Sequence, residues 1–172
     1  VAAAALFLAV VGAVLFTTSA ELPSAFAAEA AARHDATREG FHPRRGGLEE
    51  CLCALCQPQA TDQAANSFFR RHVSHDVCLH DLRPMGYELV GVSVWEHRGK
   101  LVCWTVHRNS QGRTISHGLV KSAVALHGRP VRISEGHRPA LLIPYKNTGS
   151  SCVFIFDEIS AADRFAAMVM GK

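Results

Sequence analysis

The stretch "YELVGVSVWEHRGKLVCWTVHRNSQGRTISHGLV", residues 87–120, decides the fold. Three runs within it, 87–97, 100–108 and 113–120, are rich in β-branched and aromatic side chains, the composition of strands. The intervening residues are turn formers: His97-Arg98-Gly99 closes one hairpin and Asn109-Ser110-Gln111-Gly112 the next. Short turns between successive strands predict three neighbours, antiparallel and in chain order.

Working outward, "KSAVALHGRPV" reads as irregular. "RPALLIPYK" and "SCVFIFDEI" then give two further strand candidates joined through "NTGSS". Ser160 is expected to cap a last helix, "AADRFAAMVM", whose Phe165, Met168 and Val169 can lie on the sheet. On the N-terminal side, Thr61-Asp62 can cap "DQAANSFFRRHV". There Ala65, Phe68, Phe69 and Val73 recur at helical spacing and mark a buried face. The expected class is therefore α+β: a meandering antiparallel sheet with flanking helices, occupying residues 60–172.

Residues 1–20, "VAAAALFLAVVGAVLFTTSA", contain no ionisable side chain. A helix of that length spans about 30 Å, the thickness of a bilayer's hydrocarbon core. A transmembrane helix is expected. A secretory signal peptide is the competing reading, with small residues at Thr18 and Ala20, or at Ala25 and Ala27, suited to cleavage. The stretch opens on Val1 without a Met or a basic residue, as a segment cut within or just before a longer apolar run would, and this favours the anchor. Residues 21–59 read as a juxtamembrane helix, "SAFAAEAAARHDATREG", followed by a Cys-rich linker. Either reading of residues 1–20 places the later domain outside the cytoplasm, and the anchor reading makes it the periplasmic C-terminal domain of a single-pass inner-membrane protein. Scattered basic residues and a net charge of +3 argue against nucleic acid as a partner.

The chemistry-bearing residues are six cysteines and ten histidines. Cys51, Cys53 and Cys56 form a C-x-C-x2-C cluster. Cys78 is the nearest fourth thiol, and His80 (or His42) can replace one of them around zinc or copper. In an oxidising compartment disulfides are the default instead. Cys51 and Cys53 are too close in sequence to bridge easily, so at most one pair is expected to close within the cluster, Cys53–Cys56 being the least strained. Cys78 is the nearest candidate partner for the leftover Cys51. Thiol redox sensing is a third use of the cluster. A c-type haem is disfavoured, since Gln57 and not His follows Cys53-x-x-Cys56. Cys103 and Cys152, on strand candidates, read as small buried hydrophobes, with a bridge open to them if their strands are neighbours. Ser116-His117 and Ser74-His75-Asp76 hold hydrolase residue types, but no nucleophile elbow, phosphate loop or dinucleotide fingerprint accompanies them. No catalytic residue and no bound organic cofactor is expected.

From His80 onward the chain resembles the extracytoplasmic C-terminal domain of membrane-anchored anti-sigma factors and related transmembrane transcriptional regulators. The resemblance rests on Asp81-Leu82, Gly86-Tyr87 and Leu89-Val90-Gly91 at the first strand, Gly112-Arg113 and Ile115-Ser116 after the hairpin, and Phe156-Asp157 before the last helix. It covers about half the chain. It implies a sensory or regulatory domain with a protein partner, either a sigma factor held by a separate cytoplasmic domain or an extracytoplasmic signalling protein. In that family a zinc-finger helical domain before the membrane span binds the sigma factor, so no residue of this chain can be assigned that activity. The alternative function is an extracytoplasmic zinc- or copper-binding, or thiol-redox, protein built on the Cys/His segment.

Overall fold

The computed structural model describes residues 25–37, 50–53, 62–72, 80–121, 130–133, 137–145 and 150–170. A helix, α1, covers 25–37. It is followed by β1 (Glu50–Cys53), α2 (Asp62–His72) and a 3-10 turn (Arg83–Met85). Next come β2 (Tyr87–His97), β3 (Lys100–Asn109), β4 (Thr114–Lys121), β5 (Val131–Ile133), β6 (Ala140–Tyr145), β7 (Ser150–Phe156) and α3 (Ile159–Met170). The strands form one seven-stranded sheet in the order β1-β2-β3-β4-β7-β6-β5. Every pairing is antiparallel.

The β2–β3–β4 meander is as the sequence predicts. Its first turn is two residues long, with Arg98 at φ 49° and Gly99 at φ 73°. Two left-handed residues match the twist of the flanking strands. The second turn is organised by Asn109, whose Oδ1 accepts from the amides of Gln111 and Arg113 at 3.0 and 2.9 Å. Beyond β4 the chain reaches the far edge, and β5, β6 and β7 step back inward until β7 pairs with β4.

The sheet is covered on both faces. On one, Phe68 and Phe69 of α2 and Phe165 of α3 pack with Val92, Val94, Cys103, Ile115, Leu119, Phe154 and Phe156. On the other, Phe26, Ala27, Ala30 and Ala31 of α1 pack with Trp95, Val102, Trp104, Val106, Val153 and Ile155. A register shift in β2 between Leu89 and Gly91 sets this division. Before it Tyr87 and Leu89 face α2 and α3, whereas after it the even-numbered Val92 and Val94 do. One extra residue reverses strand alternation and sends Trp95 to the α1 face. Trp104 registers with Gly118 across β3 and β4, and a Cβ there would sit 2.8 Å from its ring carbons. Only glycine leaves room for the indole.

Several expectations need correction. Cys51 and Cys53 do not lie in a linker outside the sheet: Glu50–Cys53 pairs with β2 as an edge strand, Cys51 opposite Ser93 and Cys53 opposite Gly91. Helix α1 does not project from the domain; its buried Phe26, Ala30 and His34 recur every four residues and lie on the sheet. The stretch "KSAVALHGRPV", read as irregular, ends in β5 at Val131. Helix α3 starts at Ile159, one residue before the expected cap, and Ser160 Oγ contacts the Glu158 carboxylate at 3.4 Å. No helix among the described residues is long and apolar enough to cross a membrane, and the span expected at 1–20 lies outside those residues.

Candidate functional site

The most densely bonded polar group lies under the C-terminal half of α1. Helical spacing turns His34 inward, where it is fully buried. Its Nδ1 is 2.9 Å from Ser116 Oγ and its Nε2 is 3.2 Å from Asp157 Oδ1. Burial lowers the imidazole pKa, although the Asp157 bond and charge act in the opposite sense. A neutral ring then accepts the Ser116 hydroxyl proton at Nδ1 and donates Nε2–H to the carboxylate.

Asp157 is the hub. Its Oδ2 accepts from the Thr114 amide at 2.6 Å and the Thr114 hydroxyl at 2.9 Å, and Arg138 Nη1 donates to its Oδ1 at 3.2 Å. Burial pushes its carboxyl upward, but the bonds from Thr114 and His34 outweigh this and hold it below the usual carboxylate range. Arg138 reaches back to Asp35 of α1 at 2.7 Å, and His137 bonds the same carboxylate. Side chains from α1, β4, the turn before α3 and the segment before β6 are thus tied into one network.

Serine, histidine and aspartate meet here from distant parts of the chain, whereas Ser74-His75-Asp76 falls outside the described residues. The two ring nitrogens are used in the opposite order to the hydrolase triad, where serine engages Nε2 and aspartate Nδ1. Ser116 is 0% exposed, so its hydroxyl has no path to a substrate in this arrangement. The geometry fits a clamp that holds α1 on the sheet. His34 and Asp157 were not singled out as partners in the sequence, because 123 positions separate them.

A second histidine group occupies the opposite face. The His80 ring lies 5.2 Å from that of His117, and His117 stacks on Phe154 at 4.3 Å. His107 follows on β3, diagonal to His117 across the ladder. His80 Nδ1, His107 Nδ1 and His117 Nε2 are buried without a hydrogen-bond partner. Burial lowers all three pKa values: that of His80, that of His107 to about 4, and that of His117 well below the usual value. These are neutral core histidines.

Of the expected metal or disulfide residues, Cys51 and Cys53 lie on β1, and His80 lies beside His117. Cys56 and Cys78 fall outside the described residues. Among the described residues no three His, Cys, Asp or Glu are disposed to hold a metal ion. Cys103 and Cys152 are buried, as expected of small hydrophobes, and burial pushes the Cys103 thiol up to about 12. They cannot bridge, because β4 separates their strands, with Leu119 between them in register. Two strand spacings amount to about 10 Å, beyond disulfide reach.

A cleft of about 300 Å³ opens between β5, β6 and the start of α3, lined by Ile133, Ala140, Leu141 and Ile159 with Arg132, His137 and Arg138 at its rim. Each of these rim side chains is already paired: Arg132 with Asp163, His137 and Arg138 with Asp35. The cleft therefore presents little uncompensated charge to a ligand. No family model matches the chain, no curated protein matches it, and no solved structure matches it.

Proposed function

We propose that the chain is the extracytoplasmic sensory or regulatory part of a single-pass membrane regulator of the anti-sigma type. In this reading residues 1–20 form the anchor and the sigma factor is engaged by a region outside this chain. One observation carries the proposal: the scattered residues of the resemblance converge in space. Leu82, Tyr87, Ile115 and Phe156 belong to one core cluster, and His34 joins Ser116 to Asp157. Gly86, at φ 81°, supplies the left-handed turn that leads into β2. The motif thus describes a single folded unit. Ser116 and Asp157 of that unit are spent on internal bonds, which suits a domain that transmits a signal. On this reading it carries out no catalysis, needs no cofactor and binds no nucleic acid.

Two measurements test the proposal. Carbonate extraction should leave the chain in the membrane fraction, and a C-terminal alkaline phosphatase fusion should be active. Deleting the gene should change transcription of one coherent set of promoters. A carbonate-soluble protein, or an unchanged transcriptome, would overturn it.

The second reading, a zinc- or copper-binding or thiol-redox protein, draws support from the buried, unpartnered Nδ1 of His80, two residues after Cys78. Thiol counting in denaturant with chelator separates the outcomes. Five or six free thiols with stoichiometric metal release would favour it, and fewer than two would favour disulfides.

A further inference from the structure

We propose that the tip of the β2–β3 hairpin is a docking surface for an anionic phospholipid bilayer, an inference that rests on the membrane reading above. Helix α1 begins at this end of the sheet: the Phe26 ring lies 5.2 Å from that of His97, and His97 Nδ1 bonds Glu29 at 2.5 Å. Only residues 21–24 separate the apolar stretch 1–20 from this helix. If that stretch is in the bilayer, the hairpin tip is close to its surface.

The tip has the chemistry for that position. Arg98 and Lys100 are exposed, and neither pairs with a carboxylate among the described residues. Leu101 beside them is 41% exposed, one of few large apolar side chains so placed. Arg98 is also the one non-glycine residue with positive φ among those described. Asparagine or glycine fits that turn position better than arginine, so local strain is tolerated where a cation is presented.

Charge is distributed to match. Two other connections join strand ends on this side, and their sequences, 122–130 and 146–149, include Arg129 and Lys146 but no acid. Asp35, Asp81, Glu88, Asp157 and Glu158 belong to the opposite end. The acids on this side include Glu96, Glu29 and Glu50, the last opposite Val94 at the start of β1, and Glu29 is engaged by His97. Basic side chains flanking an exposed leucine suit a negatively charged interface, where each contributes about fivefold in affinity.

The experiment uses the full chain reconstituted into vesicles of pure phosphatidylcholine or of phosphatidylcholine with one part in three phosphatidylglycerol. Hydrogen exchange of the 97–101 amides is read by mass spectrometry. Slower exchange in the anionic vesicles is expected, and it should be reversed by high salt, which shortens electrostatic range. Arg98→Asn with Lys100→Gln should lower that protection about 30-fold. Asparagine suits the turn, so misfolding does not explain such a loss. Equal exchange in both lipids, with the chain resistant to carbonate, would overturn the surface and leave the anchor intact. A carbonate-extractable chain would remove the anchor. Salt-sensitive sedimentation with anionic vesicles, lost in the double variant, would then still support the surface, and its absence would overturn it.

Discussion

The two faces of the sheet bury histidine in opposite ways. Under α1, both His34 nitrogens are engaged, one by Ser116 and one by an ionised Asp157. Under α2 and α3, His107 and His117 each leave one buried nitrogen without a partner, and aromatic rings cover His117. The covering helices differ as well. Helix α1 brings small alanines and is held by polar bonds, whereas the other face is closed by phenylalanines. A fully buried imidazole is thus a clamp where a carboxylate faces it and a neutral filler where none does.

The contrast can be broken most severely at Asp157. Asp157→Ala leaves the Thr114 amide and His34 Nε2 without their acceptor and takes one of two carboxylates from Arg138, and should cost about 3–5 kcal/mol of stability. Urea unfolding followed by far-ultraviolet circular dichroism would measure this, and a loss below about 1 kcal/mol would remove the clamp. Acid comes next. The folded-state pKa of His107 is about 4, below the unfolded value of about 6.5. Between those pH values only the unfolded chain takes up the proton, so stability falls as pH drops from 6.5 towards 4. The contribution is on the order of 3 kcal/mol, and His107→Phe should flatten that limb. Asp157 behaves differently: its depressed pKa contributes stability above about 3.8 that disappears only at lower pH.

Smaller effects sharpen the comparison. Gly118→Ala drives a Cβ into the Trp104 ring, and about 1–3 kcal/mol of destabilisation is expected from overpacking. Ser116→Ala removes the hydroxyl proton from His34 Nδ1 and should cost about 1–2 kcal/mol. His117→Phe replaces an unsatisfied ring with an apolar one on Phe154, and a change within about 1 kcal/mol of zero, or a gain, is expected. If Ser116→Ala were silent and His117→Phe costly, the assignment of the two faces would be reversed.

Much of this architecture was legible from local pattern. The run 87–97 coincides with β2, and the strands and helices from residue 62 onward fall within a residue or two of their expected bounds, except that β7 ends at Phe156, three residues before the expected Ile159, and that β5 was not expected. Turn chemistry at Arg98-Gly99 and Asn109 set the register. The edge strands β1 and β5 were not legible, since four and three residues are too few to show alternation. Helix α1 was misplaced because alanine reads as well in a solvated helix as in a packed one. The repeat of Phe26, Ala30 and His34 was the available signal. The clamp was the least legible feature, because nothing in the sequence marks His34, Ser116 and Asp157 as partners, and they meet only through the fold. The sequence drew attention to clustered cysteines instead, although the densest polar bonding among the described residues surrounds residues far apart in the chain.

Both tryptophans of this protein, Trp95 and Trp104, sit on the α1 face with ring centroids 6.2 Å apart at 76°. Two indoles that close and that steeply tilted couple their electronic transitions, so the chain carries a built-in optical reporter. Its emission and its exciton signal both report on one side of the sheet alone. Departure of α1 would be visible without any label, through red-shifted fluorescence and quenching by added iodide. Loosening confined to α2 and α3 would be silent in the same cuvette.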